Sequence, residues 1–309
     1  MMREINIDCY GRFHLDKISV EVNGITVNFI YNDREKTNRE FILGMYFDYH
    51  SLNNLYLRYP FERRVSVLME PLASHHYHNG ENLVGRYKYI FTHDKLLLEQ
   101  GEPFIELLYG TNWIEGPELK ASFTKQKLLS FIGGVHPGYK GGHGFRNEVV
   151  EKLLRNPKAD CFGKGVREIK GKITGLADYA FSIAMENRQQ DFYFSEKIND
   201  CFLSDTVPIY WGCPGIGQFF DKRGIIIFNS LDELLEIIDS LDMDLYNKML
   251  PYVRENKEKS IRNKWHSLQG IYERLGQNII EKIEFKKPVR FRPGFVKSIE
   301  KLNQIVRKW

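Results

Sequence analysis

Apolar runs of strand length alternate with segments whose apolar residues recur at helical spacing, and this alternation predicts an α/β protein. The clearest unit runs from Asp178 to Cys213. It begins with a continuous apolar run at residues 179–185, which is typical of a strand buried on both faces. Residues 194–203 then predict a helix with Ser195 as N-cap, and residues 206–211 predict the next strand.

Polar side chains gather at one end of this unit. Glu186 and Asn187 follow the first strand, and Tyr193, Glu196 and Lys197 lie where the helix begins. Ligands of open α/β sheets bind outside the carboxyl ends of strands, often at helix N-termini. A purely structural strand–helix–strand unit would not need so many charged and amide groups at one end. The pattern therefore predicts a ligand site formed by these five residues.

The same kinds of run predict further strands on both sides of a connection rich in Gly, Pro and Asn at residues 111–127. The predicted strands are 5–9, 24–31, 64–69 and 88–91 before this connection, and 128–132, 159–163 and 224–228 after it. Residues 231–240 and 243–281 read as helical, the longer segment as two helices. We expect a first domain at residues 1–125, a second at 126–284 and a basic tail at 285–309, because 309 residues suffice for two cores.

A glycine-rich loop at residues 133–144 lies between a predicted strand and a predicted helix at 145–154. Such a loop lets backbone N–H groups approach phosphate oxygens. It fits neither of the usual phosphate-loop patterns, GxGxxG and GxxxxGK. Arg146, near the start of the helix, strengthens the interpretation, because a guanidinium pairs with phosphate in a bidentate way. The alternative is a flexible surface loop with a solvated arginine.

Glu70 closes the predicted strand 64–69 and precedes Pro71, which places a carboxylate at a strand's carboxyl end. The alternative is a surface glutamate before a turn. The following loop contains His75 and His76, and consecutive histidines in a loop more often bind substrate hydroxyls than a metal ion. The Asp-x-Asp sequence that begins at Asp242 is interpreted as a helix cap. No metal site is therefore expected.

The composition is that of an aromatic-rich globular protein, with 42% hydrophobic and 14% aromatic residues. The net charge of +4 is uneven, since residues 281–309 hold nine Lys or Arg and three Glu, and the remaining chain is about −2. A nucleic-acid partner is therefore not required. The tail helix is expected to pack on the first domain, with peripheral contact to an anionic membrane as the alternative. Four scattered cysteines and an N-terminus without an apolar leader favour a cytoplasmic location, with membrane association left open.

The central stretch resembles the donor-binding motif of the α1,3/4-fucosyltransferase family, glycosyltransferase family 10. The matching residues are MEN at 185–187, YFSEK at 193–197 and VPIYWG at 207–212. Met185 stands where the family usually has Phe. Arg146 fits the family's phosphate-binding arginine. Residues 68–75 resemble a segment whose glutamate is the presumed base, here Glu70, although the serine between Glu and Pro is missing.

This resemblance implies a GT-B fold, in which two Rossmann-like domains face a cleft. The first domain would bind a glycan acceptor and the second GDP-fucose, and transfer would invert the sugar without a metal ion or other cofactor. Glu70 would remove the acceptor proton, while Arg146 and Lys197 would stabilise the departing diphosphate.

The resemblance also assigns the remaining residues. Glu196 would accept hydrogen bonds from the ribose, and Tyr193 would contact the nucleotide. Glu186 and Asn187 would face the sugar or support the loop. His75 and His76 are candidate acceptor-side residues.

Three alternatives stay open. The chain could be a transferase that uses another nucleotide sugar, since the motif addresses diphosphate and ribose more than the sugar. It could be a relative that binds nucleotide sugars without catalysing transfer. It could bind nucleic acid through the tail, where aromatic residues alternate with arginine, although the acidic remainder of the chain argues against this.

Overall fold

A computed structural model describes residues 4–11, 15–31, 39–70, 80–114, 123–135 and 142–283. Contacts between Cα atoms divide the chain into two compact units. The first contains the described residues up to Leu108 together with those from Gln269 onward, and the second is Tyr109–Leu268. Each unit is built on its own sheet.

The sheet of the first unit has seven strands in the order β2-β3-β1-β4-β5-β6-β7. Every neighbouring pair is parallel except β2 and β3, which form an antiparallel pair. The strands are β1 (Glu4–Tyr10), β2 (Lys17–Val22), β3 (Ile25–Ile30), β4 (Leu43–Phe47), β5 (Arg64–Leu68), β6 (Tyr89–Thr92) and β7 (Phe104–Glu106). A central parallel strand has both faces covered, and all five residues of β4 are buried accordingly.

The second unit has a fully parallel sheet of five strands in the order β12-β11-β10-β8-β9. The strands are β8 (Lys127–Ile132), β9 (Ala159–Phe162), β10 (Tyr179–Met185), β11 (Val207–Trp211) and β12 (Ile226–Ile227). The helices of the chain are α1 (Lys95–Leu98) in the first unit, then α2 (Gly142–Leu153), α3 (Glu196–Leu203), α4 (Leu231–Ser240), α5 (Met243–Arg262) and α6 (Leu268–Lys282).

The strand order of the second sheet places the ligand site of this unit. Counted within the unit, the order is 2-1-3-4-5, and the chain reverses direction across the sheet between β8 and β10. In doubly wound sheets ligands bind in the crevice at the carboxyl ends of the two strands that flank this switch point. Helix α2 follows β8, and residues 186–197 follow β10, so both predicted phosphate-binding segments reach this point.

Helix α6 belongs with the first sheet. Its buried positions include Ile271, Tyr272 and Leu275, and the ring of Tyr272 lies 4.8 Å from that of Phe29 on β3. The units therefore differ from the predicted domain boundaries, because residues 109–125, so far as described, group with the second unit and α6 with the first. The predicted tail, 285–309, lies outside the described residues.

Many predicted elements coincide with the observed ones. Strand β10 and helix α4 have the predicted bounds, Ser195 is the N-cap of α3, and the predicted long helical segment comprises α5 and α6. Asp242 caps α5 by accepting a hydrogen bond from the backbone of Leu245 at 2.7 Å, as predicted for the Asp-x-Asp sequence. Strands β2, β4 and β7 were not predicted. Within the described ranges, the helices are too short or too polar to cross a membrane.

Lys125 fastens the amino ends of the strands in the second sheet. Its ammonium group donates to the carbonyls of Leu176, Ala177 and Ser204 at 2.7–3.0 Å and to the hydroxyl of Thr206 at 2.9 Å. These acceptors immediately precede β10 and β11. One half-buried side chain thus fixes two connections at the edge of the sheet opposite the switch point.

Replacing Lys125 with Met should lower the free energy of unfolding of the second unit by about 2–4 kcal/mol, because four acceptors, three of them on buried residues, lose the ammonium group as a donor. Urea denaturation followed by circular dichroism measures this change. Lys127→Met is the matched control, since that side chain is 52% exposed in its ion pair with Asp160 and its loss should change stability by less than about 0.5 kcal/mol. Equal effects of the two substitutions would contradict the assignment.

Candidate functional site

The carboxylate of Glu186 is the centre of the predicted site. The residue is fully buried directly after β10. Its Oε1 accepts a hydrogen bond from the backbone of Ser195 at 2.8 Å. Its Oε2 accepts from the Ser195 hydroxyl at 2.6 Å and from the Lys197 ammonium at 3.2 Å. A buried charge needs such partners. These bonds connect the segment before α3 to the end of β10.

Arg146 reaches the same residue from the other side of the switch point. Its Nη2 donates to the carbonyls of Met185 and Glu186, at 3.0 and 3.3 Å, and to Oδ1 of Asn187 at 3.0 Å. Burial lowers the pKa of Arg146, while the charges of Glu186, Tyr193 and Glu196 oppose this shift. Arg146 and Lys197, predicted on separate segments, are therefore both bonded to Glu186.

Close approach of α2 to this loop requires glycine. A Cβ on Gly142 would lie 2.1 Å from the carbonyl oxygen of Asn187, a distance that no side chain tolerates. A Cβ on Gly133 would lie 3.2 Å from Cδ of Arg146. Two of the loop glycines thus make room for the backbone and the arginine of the site. Residues 136–141 of the same loop lie outside the described residues.

Glu196 lies between two lysines, one of which the sequence did not predict. Its Oε1 is 3.1 Å from Nζ of Lys172 and 3.5 Å from Nζ of Lys197. Burial alone would raise the pKa of Glu196, but the two ammonium groups lower it to about 2. Glu196 is therefore ionised at neutral pH. The Lys172 and Lys197 side chains are 19% and 20% exposed, so both are partly accessible to solvent.

Packing fixes the start of α3. Tyr193 is buried and pairs through its backbone with Tyr109, and the ring of Phe194 lies 5.1–6.1 Å from those of Phe219, Phe220 and Trp265. The oxygen of Ser195 accepts the backbone N–H of Lys197 at 3.4 Å, which is the N-cap bond. The polar residues of the motif therefore project from a segment held by an aromatic core.

The first unit presents Glu70 on a constrained backbone. Glu70 is exposed just beyond β5, and its N–H and that of Met69 donate to Oδ1 of Asp48 at 3.1 and 2.8 Å. The carbonyl of Met69 accepts from Nε2 of the buried His93 at 3.1 Å. Burial lowers the pKa of His93 to about 4, so the ring is neutral at pH 7. Burial also raises the pKa of Asp48 to about 6, with a contribution from the charge of Glu70.

The remaining predicted residues and other depressions add little. His75 and His76 lie outside the described residues. Over the ranges that the structure describes, His, Cys, Asp and Glu form no group suited to a metal ion. A surface depression of about 610 Å³ lies against α5 and is lined by residues such as Lys222, Glu255 and Lys259, but it includes none of the predicted site residues.

Sequence comparison relates this site to a known family. Residues 138–272 match the family model of the C-terminal domain of glycosyltransferase family 10, the fucosyltransferases. This segment, which is less than half of the chain, is similar to the C-terminal domain of that family. The matched segment runs from the glycine loop to α6 and contains Arg146 and the whole motif between Glu186 and Lys197, so the resemblance derived from the sequence is confirmed.

Similar proteins of this family match only part of the chain in sequence. Alpha-(1,3)-fucosyltransferase FucT of Helicobacter pylori is 31% identical over 106 residues, 33% of this chain and 22% of the relative. A putative fucosyltransferase-like protein of Arabidopsis thaliana is 29% identical over 120 residues, 38% of this chain and 22% of the relative. The chain thus matches about a fifth of the length of these curated relatives.

Structural comparison covers more of the chain. A crystal structure of an α1,3-fucosyltransferase with GDP has a TM-score of 0.56 and 18% identity, and the match covers 92% of each chain. This likeness, together with the two predominantly parallel sheets, confirms the predicted GT-B fold class of two Rossmann-like domains.

Substituting Ser195 with Ala should destabilise the protein by about 2–4 kcal/mol, because it removes a helix cap and a donor to a buried carboxylate. Ser230→Ala is the matched control. Ser230 caps α4 by accepting from the backbone of Glu233 at 3.2 Å, an exposed bond, so its loss should lower stability by only about 1 kcal/mol. Thermal melts of the two variants compare them directly. If the Ser195 variant melts at the same temperature as the Ser230 control, the hydrogen bond to Glu186 contributes nothing to stability.

Proposed function

We propose that this chain is a fucosyltransferase that moves fucose from GDP-fucose to a hydroxyl of a glycan acceptor, inverting the anomeric carbon without a metal ion. The observation that carries the proposal is the convergence of Arg146 and Lys197 on Glu186 at the switch point of the second sheet. The match of residues 138–272 to the family 10 model supports the reaction class. The similar α1,3-fucosyltransferase solved with GDP supports a guanine nucleotide as the leaving group.

In the proposed reaction an acceptor hydroxyl attacks the anomeric carbon of fucose. The new bond joins the acceptor oxygen to this carbon, the bond between the carbon and the diphosphate oxygen breaks, and GDP departs. Negative charge grows on the diphosphate, and fixed cations stabilise it most when they are in place beforehand. Arg146 and Lys197 supply the positive charge that stabilises the diphosphate. Each side chain is already oriented by hydrogen bonds to residues at or after the end of β10.

Lys197 exchanges partners when the donor binds. Its ammonium group contacts Glu186 at 3.2 Å, the Ser195 hydroxyl at 3.0 Å and Glu196 at 3.5 Å. A diphosphate oxygen takes over part of this coordination. The additional cost of desolvating Lys197 is small, because only 20% of its side chain is exposed before the donor binds.

Glu70 accepts the proton of the attacking hydroxyl. Its exposed carboxylate can meet a substrate, while its backbone is held by Asp48. Hydrogen bonds on both sides of the neighbouring peptide limit the directions in which the side chain can point. A general base must be positioned in this way before its pKa matters.

GDP should protect the protein against thermal melting, and UDP should not. At a GDP concentration of about 100 Kd, binding adds about 2.7 kcal/mol, which raises Tm by about 5 °C. Lys197→Ala should abolish this protection and lower turnover by about 100-fold or more while the protein stays folded.

Lys248→Ala, an exposed residue of α5, should behave as wild type. Protection by UDP instead of GDP would assign a different nucleotide sugar. Near-normal turnover of the Lys197 variant would remove the donor-site assignment.

Glu70→Gln should reduce release of GDP from GDP-fucose in the presence of a glycan acceptor panel by about 10²–10⁴-fold, because the base is lost. The Kd for GDP should change by less than about twofold, since Glu70 acts on the acceptor and makes no donor contact in this mechanism. The control is Glu62→Gln, an exposed glutamate of the same unit. Unchanged release by the Glu70 variant would assign the base elsewhere.

A further inference from the structure

Lys172 lies in the donor-site cluster, although it is outside the sequence motif. It follows a charged loop and begins a single helical turn, Lys172–Gly175. Its ammonium group is 3.1 Å from Oε1 of Glu196 and 3.0 Å from Oδ2 of Asp200. The ammonium group also lies over the ring of Trp113, with the ring centroid 5.1 Å from Nζ. Three groups from two other segments therefore surround one lysine.

The two carboxylates that Lys172 bridges would otherwise repel each other. Glu196 and Asp200 are four residues apart on α3, so they project from the same face of the helix. Asp200 is 1% exposed, and its Oδ1 already accepts the backbone N–H of Trp113 at 2.7 Å, which fixes its position. The attraction of Lys172 keeps Glu196 beside Asp200 despite the like charge. Burial disfavours a charged lysine, but Asp200 and Glu196 raise the pKa of Lys172.

In the proposed reaction, the contact of Glu196 with Lys172 is the one that the diphosphate does not disturb. Lys197, the second cation near Glu196, is farther away at 3.5 Å and is assigned to the diphosphate. Once Lys197 turns to that ligand, its hold on Glu196 weakens. Lys172, whose partners are Glu196, Asp200 and the indole of Trp113, has no such second task.

We propose that Lys172 is a positioning residue of the donor site, which holds the Glu196 carboxylate where it accepts hydrogen bonds from the ribose hydroxyls of the nucleotide. The proposal rests on the proposed function, and it extends that function by naming the residue that gives the site its preference for an intact ribose. Trp113 completes the arrangement, because its indole covers the ammonium group and its backbone N–H fixes Asp200.

The test compares the binding of GDP and of 2′,3′-dideoxy-GDP by titration calorimetry. Wild type should bind GDP roughly tenfold to thirtyfold more tightly, because the dideoxy ligand leaves the Glu196 carboxylate without its hydroxyl donors. Lys172→Met should reduce this ratio to about threefold or less, mainly by weakening the binding of GDP. Lys170→Met, an exposed lysine two residues away, should keep the wild-type ratio. If Lys172→Met does not fold, Lys172→Gln replaces it, and the circular dichroism spectrum verifies the fold.

A double-mutant cycle separates positioning from general stabilisation. In a Glu196→Gln background, which already lacks the carboxylate, Lys172→Met should change the Kd for GDP by less than about twofold. A Lys172 variant that weakens both ligands equally, or that keeps the wild-type ratio, would overturn the proposal. So would a wild type that binds GDP without preferring it to the dideoxy ligand, although the donor class would then stand. A wild type that binds neither ligand would refute the proposed function and this inference together.

Discussion

A buried carboxylate, that of Glu186, organises the second unit. A fully buried charge is tolerated only when hydrogen bonds and opposite charge surround it. Here these partners come from the segment that begins α3, so burying the glutamate draws Ser195 and Lys197 against the end of β10. The backbone carbonyl of the same residue receives Arg146 from α2. When the sheet folds and Glu186 is buried, Arg146 and Lys197 are therefore brought together at this residue.

The charges around this carboxylate are nearly balanced. Arg146, Lys172 and Lys197 face Glu186, Glu196 and Asp200. The site therefore does not carry a large excess of positive charge. An anionic ligand has to compete with the carboxylates of the protein for cations that are already oriented. Such a site discriminates by geometry, because a ligand gains only where its oxygens replace bonds of similar length. Burial raises the pKa of Asp200 to about 6, so the balance shifts further toward positive charge as the pH falls through that range.

The sequence predicted what depends on local pattern. Continuous apolar runs predicted β10 and its neighbours, and the serine before a helical repeat predicted the cap of α3. The dense motif residues predicted the match to the family model. It did not predict Lys172 or Asp48, because both act through contacts between segments distant in sequence. It also missed the five-residue strand β4 and the antiparallel strand β2. The grouping of α6 with the first sheet could not be predicted, because an amphipathic stripe shows that one face of a helix is buried but not which sheet it packs against.

The return of α6 to the first sheet makes that unit discontinuous along the chain. Residues up to Leu108 supply its strands, while Tyr272, against Phe29, arrives only after the whole of Tyr109–Leu268. During synthesis on the ribosome, the second unit is therefore complete before the first can close over its sheet. The second unit is contiguous along the chain, so it can fold as soon as it is synthesised. Until α6 is made, the strands of the first unit lack the helix that packs against Phe29. The second unit thus completes its fold before the first, although synthesis of the first unit begins earlier. The nascent chain is most prone to aggregation in the interval before α6 emerges.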